Sequence, residues 1–493
     1  MTDVSSDLGD TTTQAGTDQG AAPDAPLSRE QVLAIGTLLV SSFVVILNET
    51  VMSIALPVLQ DDLGIAPSQG QWLTTAFMLT MAVIIPLTGF LISRIDTRRL
   101  FIIAMSLFTV GTVMAFFSPS FVPLLVARIV QASGTAIMLP LLMTTIMTIV
   151  PPARRGAMMG NITIVISVAP ALGPTVSGLI LQHFSWHWIF GLVAPIALVA
   201  LVVGAKYVTP ITQPGTVKAD LLSVPLSVLG FAGLVYGLVG IGENAAGDAA
   251  MPLWIPFVVG GVSLVAFLVR QVVLARQERA LLDLRVFTST QFSIAIGAMI
   301  IAMASMFGAF LLVPLFAQDV LELSALEAGL ITLPGGLIMA LSGPYVGRIY
   351  DAHGPRVLTL PGALLVSAGV WMLTMIDTDT SIWWLVLSNM VLMGGLSGTF
   401  TPLMTSSLGS VAPHLYSHAS AVVGTFQQVA GAAGAALFIT VMTVRATSAG
   451  EGGASAAEAL TEGIRSAFMV GGFMSLLLVV AVLFVRKAEA PAH

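Results

Sequence analysis

The sequence predicts an all-α integral membrane protein with 14 transmembrane helices, and three observations carry that expectation. Of its 493 residues, 56% are hydrophobic and 9% charged, against about 45–50% apolar and about 25% charged in soluble globular chains. Apolar runs of about 18 to 25 residues, each enough to cross roughly 30 Å of hydrocarbon as a helix, recur fourteen times. The loops between them alternate between basic and acidic. So few charges cannot cover a soluble surface, which excludes a cytosolic enzyme, a nucleic-acid partner and a disordered scaffold. The chain has no cysteine, and its six histidines stand in no ligand-like spacing, so no metal site is expected.

Residues 1–33 are rich in Asp, Thr, Gly and Ala and lack a basic n-region. They read as a disordered cytoplasmic tail and not as a signal peptide. The first span, 34–57, ends before Asp61 and Asp62, and the second, 70–93, ends at the basic turn Arg94–Arg99. Spans 100–117, 121–146, 156–180 and 187–207 complete a first six-helix bundle, 34–207. Spans 221–242 and 252–270 form an inserted pair, 221–270. The second bundle, 291–486, comprises 291–316, 325–349, 357–376, 382–406, 419–443 and 465–486.

Lys and Arg set the orientation. With the N-terminus inside, 16 of the 19 cations fall on the cytoplasmic side, grouped as Arg29; Arg94, Arg98 and Arg99; Arg154 and Arg155; Lys206 and Lys218; Arg270, Arg276, Arg279 and Arg285; Arg348 and Arg356; and Arg486 and Lys487. The outside receives Arg445 and Arg465, while Arg128 lies within a span. Acids fill the outer loops, among them Asp61, Asp62, Glu243, Asp248, Asp319, Glu322, Glu327, Asp377 and Asp379. Both termini are therefore expected in the cytoplasm.

A repeat supports two halves. Pro86-Leu-Thr-Gly89 near the end of the second span returns 258 residues later as Pro344-Tyr-Val-Gly347 near the end of the tenth, each before a short basic loop. Parallel six-helix halves are a known transporter plan, with the substrate site between them at mid-membrane depth. The two turns, Gly89…Arg94-Ile-Asp96-Thr-Arg98-Arg99 and Gly347-Arg348-Ile-Tyr-Asp351-Ala-His-Gly354-Pro-Arg356, pair opposite charges with glycine. Such clusters can latch helices in one state and release them in another. A purely topogenic role is the alternative.

Two charges lie well inside spans, Glu49 in the first and Arg128 in the fourth. Each costs about 2.5–3.5 kcal/mol at mid-bilayer, so each is expected to face a cavity or a partner. An acid in a poorly hydrated site can load and release a proton as access alternates between the two sides. The other reading of Glu49 is a permanently protonated strut between helices. Arg128 shares a helix face with Gln131 and Gly134. Its guanidinium keeps its proton and can only change partners, among a backbone carbonyl, a Gln or ionised Glu49; it is either a coupling residue or a structural clamp.

In the fifth span, Ala169, Gly173 and Ser177 share a face suited to close helix packing, and Pro174 bends the helix beside Gly173. Asn48, Asn161, Asn389, Gln427 and Gln428 offer hydrogen bonds at depth, and Asn48, Gln131, Phe307, Phe310, Asn389, Gln427 and Gln428 are the residues expected to line a substrate cavity. Met303, Met306, Phe307, Phe310 and Met393 supply a soft apolar surface suited to varied ligands, or ordinary helix packing. The sequence carries no Walker-type loop, so ATP is not the expected energy source, and it carries no catalytic triad or metalloprotease motif.

With these residues placed, the chain resembles the 14-helix drug:proton antiporters of the major facilitator superfamily, over about residues 34–486. Leu47-Asn48-Glu49-Thr50-Val51-Met52-Ser53-Ile54-Ala55-Leu56-Pro57 is similar to that family's first-helix signature L-D-x-T-I-V-N-V-A-L-P. Arg128, Gln131 and Gly134 match its fourth-helix R-x-x-Q-x-x-G. Gly173, Pro174 and Gly178 match its fifth-helix G-P-x-x-x-G, and Trp186, Trp188, Phe190 and Pro195 match the start of its sixth helix. The family Asp is Asn48 here and the acid is Glu49, as in the lincomycin-resistance branch. This moves the side chain about 100° around the helix. In the first basic turn Ser93 stands where the family has Asp, and Asp96 where it has Gly; the second-half copy keeps Gly347, Asp351, Gly354 and Arg356.

The resemblance implies a multidrug efflux transporter of the bacterial plasma membrane, exchanging amphipathic drugs for protons by rocking two bundles around a cavity lined by the first, fourth, ninth and twelfth helices. It implies no cofactor, a proton gradient and not ATP as the drive, small-molecule drugs, protons and the lipid bilayer as partners, and a functional monomer. Neutral or monocationic substrates are expected, because a second buried countercharge is missing. The alternatives are a dedicated exporter of one endogenous metabolite and a transport-inactive membrane sensor of the same fold.

Overall fold

Ser28 starts the first helix: its hydroxyl accepts from the Gln31 amide at 3.2 Å while the Gln31 side chain accepts from the Ser28 amide at 2.9 Å, a reciprocal capping box. Helix α1 therefore runs Arg29–Leu63, and residues 29–33, expected in the tail, are its first turn. The structure is a computed structural model and describes residues 27–210, 220, 222–245, 252–277 and 279–486. Residues 1–26 of the expected tail, Lys218, Asp248 and Lys487 lie outside the described residues.

Among the described residues there are fourteen α-helices. After α1 come α2 (Pro67–Arg94), α3 (Thr97–Phe116), α4 (Phe121–Ile149), α5 (Arg155–His183), α6 (His187–Tyr207), α7 (Ser223–Ala245) and α8 (Trp254–Ala275). The remainder are α9 (Thr290–Asp319), α10 (Ala325–His353), α11 (Arg356–Leu373), α12 (Ile382–Gly409), α13 (Tyr416–Glu451) and α14 (Ala456–Val482). All but α7 have described lengths and apolarity sufficient to cross a membrane; the described apolar part of α7 is Ser223–Leu238. The last helix starts nine residues before its expected span, because Ser455 and Glu458 form another capping box. Arg465 consequently sits inside α14, donating from Nε to the Thr374 carbonyl at 3.2 Å.

The first six helices pack among themselves, as α3 on α4 and α6, α2 on α4, and α1 on α5 and α6. The last six do the same, as α11 on α12 and α14, α10 on α12, and α13 on α14 and α9. Across the two sets, α5 lies along α10, and α13 along α2 and α4. Helices α7 and α8 pack on each other, with α7 also against α2 and α13. The helix ends bearing Arg94, Arg98, Arg99, Arg154, Arg155, Arg348 and Arg356 gather at one end, the basic end; Asp61, Asp62, Asp319, Asp377 and Asp379 mark the other.

Contact between the halves is concentrated towards the basic end. A Cβ on Gly156 would stand 2.5 Å from the Gly347 carbonyl oxygen, one on Gly160 would overlap the Gly343 carbonyl, and one on Gly336 would stand 2.6 Å from Ala171 Cβ. Only hydrogen side chains admit backbones this close. Further along α5, nothing lies within 4 Å of where a Gly178 Cβ would sit. The Thr163 and Thr401 hydroxyls, on α5 and α12, are 2.6 Å apart and add a hydrogen bond between the two halves.

Candidate functional site: a buried arginine and its neighbouring acid

Four helices converge on Arg128. Helix α4 places Arg128 and Gln131 three residues apart on one face, and Arg128 Nη1 donates to Gln131 Oε1 at 2.6 Å and to Asn48 Oδ1 of α1 at 3.3 Å. Gln131 Nε2 donates in turn to Thr112 Oγ1 of α3 at 2.8 Å, whose hydroxyl donates to the Phe108 carbonyl at 2.7 Å. The guanidinium lies 4.1 Å from the centroid of the Phe77 ring of α2, a cation–π contact in a dry setting. Arg128, Asn48 and Gln131 are all buried. Two donors nonetheless lack a partner, Arg128 Nε and Asn48 Nδ2.

Glu49 stands beside this network and outside it. It is partly exposed, and among the described residues it makes no hydrogen bond and no ion pair with Arg128. The next residue, Thr50, donates to the Leu47 carbonyl at 3.0 Å and to the Ala169 carbonyl of α5 at 3.3 Å, and Gly173 admits its hydroxyl. The fifth-helix motif thus presses on the residue adjoining the acid. Pro174 lies within α5, and its side chain is outside the described set.

The expected cavity residues divide differently from the sequence reading. Asn48 and Gln131 are hydrogen-bonding parts of the arginine network and do not face open space. Asn389 is buried between α12 and α10, its Oδ1 against Gly335, with neither amide atom partnered; it too is packed away. Phe307 is exposed on one side and packs its ring over Gly431 of α13, and Phe310 is half-buried. Gln427 joins Ile296, Met299, Ile300, Met303 and Phe426 around a narrow cleft between α9 and α13, and Gln428 beside it is half-buried.

At the basic end the two turns behave unequally. The Asp351 carboxylate, on α10, accepts from the backbone amides of Gly156 at 2.8 Å and Ala157 at 2.9 Å, capping the N-terminus of α5 across the interface. Gly354, at φ 78°, ends α10 behind it. Arg356 was expected to share this latch, but its Nε donates to the Val485 carbonyl at 3.2 Å, within its own half. In the first turn Asp96 caps α3 through the Arg99 amide at 3.0 Å and pairs with the Arg99 side chain at 3.1 Å, both local contacts, and Arg98 is exposed. Arg94 lies over the Phe90 ring at 5.0 Å. Of this turn, Gly89 makes a close approach across the interface, to His418 and Ala421 of α13.

In the sequence Arg155 is an orienting charge, and in the structure it does more. It closes the end of α4 by donating to the Met147 and Val150 carbonyls at 2.8 and 3.0 Å, then reaches the Tyr416 hydroxyl of α13 at 3.1 Å. No local signal marks this, since Tyr416 is 261 residues away.

The sequence pattern of the Major Facilitator Superfamily matches residues 38–435. The chain belongs to that superfamily. As a member it is a multi-pass membrane transporter and not an enzyme. It is 38% identical over 460 residues to the lincomycin resistance protein LmrB of Listeria innocua, covering 92% of this chain and 97% of that one. It is 28% identical to the multidrug resistance protein B homolog of Mycobacterium tuberculosis, covering 83% and 75%. In fold it matches the human organic anion transporter MFSD10, with a TM-score of 0.64 at 14% identity, over 90% of this chain and 99% of that one.

Proposed function

We propose that this transporter exports amphipathic, neutral or monocationic antibiotics across the bacterial plasma membrane in exchange for protons. It works as a monomer by alternating access, with no cofactor and with the basic end and both termini in the cytoplasm. The drug class is supported by the names of its relatives, and the orientation by the distribution of Lys and Arg.

The observation that carries proton exchange is the pairing of two orphaned donors, Arg128 Nε and Asn48 Nδ2, with one neighbouring acid outside their network. A buried unpartnered donor costs on the order of 1–3 kcal/mol. An ionised Glu49 can supply what both lack, while a protonated Glu49 has little to gain there. In the outward-open state Glu49 takes a proton from outside, leaves the arginine to its amide partners, and drug departs. In the inward-open state it releases that proton to the cytoplasm, its carboxylate turns to Arg128, and drug binds. One cycle carries drug out and a proton in, and the gradient supplies the work.

The deciding measurement is proton release from the purified protein on adding lincomycin. Wild type should release protons, while Glu49→Gln should release none and Arg128→Ala at least tenfold less. Full proton-driven efflux by Glu49→Gln would remove Glu49 from the coupling role.

A further inference from the structure

The two halves do not hold each other in the same way at the basic end. The start of α5, in the first half, is capped by the Asp351 carboxylate of the second. The repeat puts the counterpart of Asp351 at Ser93, four residues after Gly89, and the Ser93 hydroxyl donates to the Phe90 carbonyl of its own helix at 2.8 Å. The start of α13, the counterpart of α5, has Leu415 before it and no side-chain cap. His418, which Gly89 meets, accepts at Nδ1 from the Asp283 amide at 3.3 Å, between α8 and α9, and that bond joins nothing to the first six helices. A side-chain hydrogen bond does cross from the first half to α13, and it starts from Arg155.

Arg155 is the first residue of α5, at the corner where α4 ends. A guanidinium presents its N–H groups as a rigid planar fork, and here all three nitrogens are used. Nε and Nη2 donate to the Val150 and Met147 carbonyls, which the end of α4 leaves without helical partners. Those two bonds fix the plane and aim Nη1 across the interface. It donates to the Tyr416 hydroxyl at 3.1 Å, with the guanidinium carbon 5.4 Å from the centroid of the ring. Tyr416 is buried and is the first residue of α13. On the next residue of α5, a Cβ at Gly156 would stand 2.7 Å from Tyr350 Cδ1 of α10. The start of α5 is therefore held by two helices of the second half, α10 and α13.

We propose that Arg155 and Tyr416 form the tie that closes α13 onto the first half at the basic end, in the place of the carboxylate that Ser93 does not supply. A neutral phenol suits a tie that has to open in every cycle. When the halves separate, Arg155 keeps its two α4 carbonyls and gives up one bond to an uncharged group, whereas parting a buried ion pair would strand two charges. Arg155 and Tyr416 are positioning residues, acting on the access equilibrium and not on the drug. The inference rests on alternating access, and not on which drug is carried or on the proton.

Spin labels at Arg98→Cys and His353→Cys, two exposed positions on opposite halves in a chain with no native cysteine, read the separation of the basic ends without any substrate. Tyr416→Phe keeps the ring and removes the acceptor, and should raise the ratio of separated to closed populations roughly three- to thirtyfold, the range of one lost hydrogen bond to a charged donor. Arg155→Gln puts an amide nitrogen where the arginine has Nε, so it keeps a donor for Val150 and has nothing at Nη1. In that background Tyr416→Phe should change the ratio by less than about twofold, since the two residues act as one pair. Unchanged populations in Tyr416→Phe, or an equal shift from it with and without Arg155, would overturn the proposal. Should the Gln variant fail to fold, Tyr416→Leu decides, because it removes the ring as well and should shift the ratio at least as far as Tyr416→Phe; a smaller shift would refute the tie. A loss of drug-induced proton release with the populations behaving as expected would sink the exchange reading and leave the tie standing.

Discussion

Arg128 and Asn48 are joined by a 3.3 Å hydrogen bond that puts a neutral amide where a carboxylate could neutralise the buried guanidinium. Since the acid is one residue later, and about 100° away around α1, the arginine rests on Gln131, Asn48 and the Phe77 face with its Nε unpartnered, while Glu49 stays partly exposed. In the proposed exchange, separating the cation's resting partners from the acid would let Glu49 visit without being held. A permanent ion pair at this depth would be costly to break, since removing one partner from a buried pair typically costs about 3–5 kcal/mol.

That arrangement predicts the outcome of moving the acid back. In Asn48→Asp/Glu49→Gln the carboxylate would meet Arg128 directly and remain ionised against it. Drug-induced proton release should stay at the level of Glu49→Gln, at least tenfold below wild type, while the melting temperature in detergent equals or exceeds the wild-type value. Restoration of proton release to within threefold of wild type would show that the position of the acid is immaterial.

Asp351 predicts a shift in the access equilibrium. Its two hydrogen bonds cap α5 across the interface, and they exist only while the halves touch at the basic end. Loss of an N-terminal cap costs typically about 1 kcal/mol, so Asp351→Ala should favour the separated basic end by roughly fivefold. Alkylation of a cysteine placed at Thr163 should quicken accordingly. Asp96→Ala, which removes only a local cap of α3, should weaken stability without changing that rate.

Fourteen helices were legible because long apolar runs leave few other solutions, and the Arg128–Gln131 bond was legible because three residues along a helix share a face. What failed was partner choice across helices. Asn48 and Glu49 are adjacent in the chain, and only the rotation of α1 against α4 decides which of them meets Arg128. Asn389 reads as a cavity amide by its depth, but Gly335 lets α10 close over it. Arg155 and His418 carry no local mark at all, because their partners lie 261 and 135 residues away. The first basic turn also misled, since Asp96 caps its own helix, a local competition that charge spacing does not reveal.

A reversible lock follows from the Thr163–Thr401 contact. The two hydroxyls are 2.6 Å apart on helices of opposite halves, so paired cysteines there are within reach of a disulfide. Oxidised Thr163→Cys/Thr401→Cys should lose at least nine-tenths of its efflux in vesicles and recover it on reduction, while either single variant transports normally. Efflux that persists after complete oxidation would mean that these helices need not separate during transport.

The Asp220 carboxylate, just before α7, predicts a pH dependence confined to acid. Arg270 donates to it from Nε at 2.6 Å and from Nη2 at 2.8 Å, and the Ser223 hydroxyl and amide add bonds at 2.6 and 3.0 Å. The Arg270 hydrogen bonds, helped by Ser223, hold the carboxyl well below the usual carboxylate range. A group lowered in the folded state stabilises fully above its unfolded value, near 3.8 here, and loses that contribution as the pH falls towards its folded one. Asp220→Asn should therefore lower the melting temperature in detergent by the same amount at pH 7.5 and pH 5.5, and the gap to wild type should begin to close only below about pH 4. A gap that already narrows between pH 7.5 and pH 5.5 would mean that some other group, and not this ion pair, secures α7 to α8.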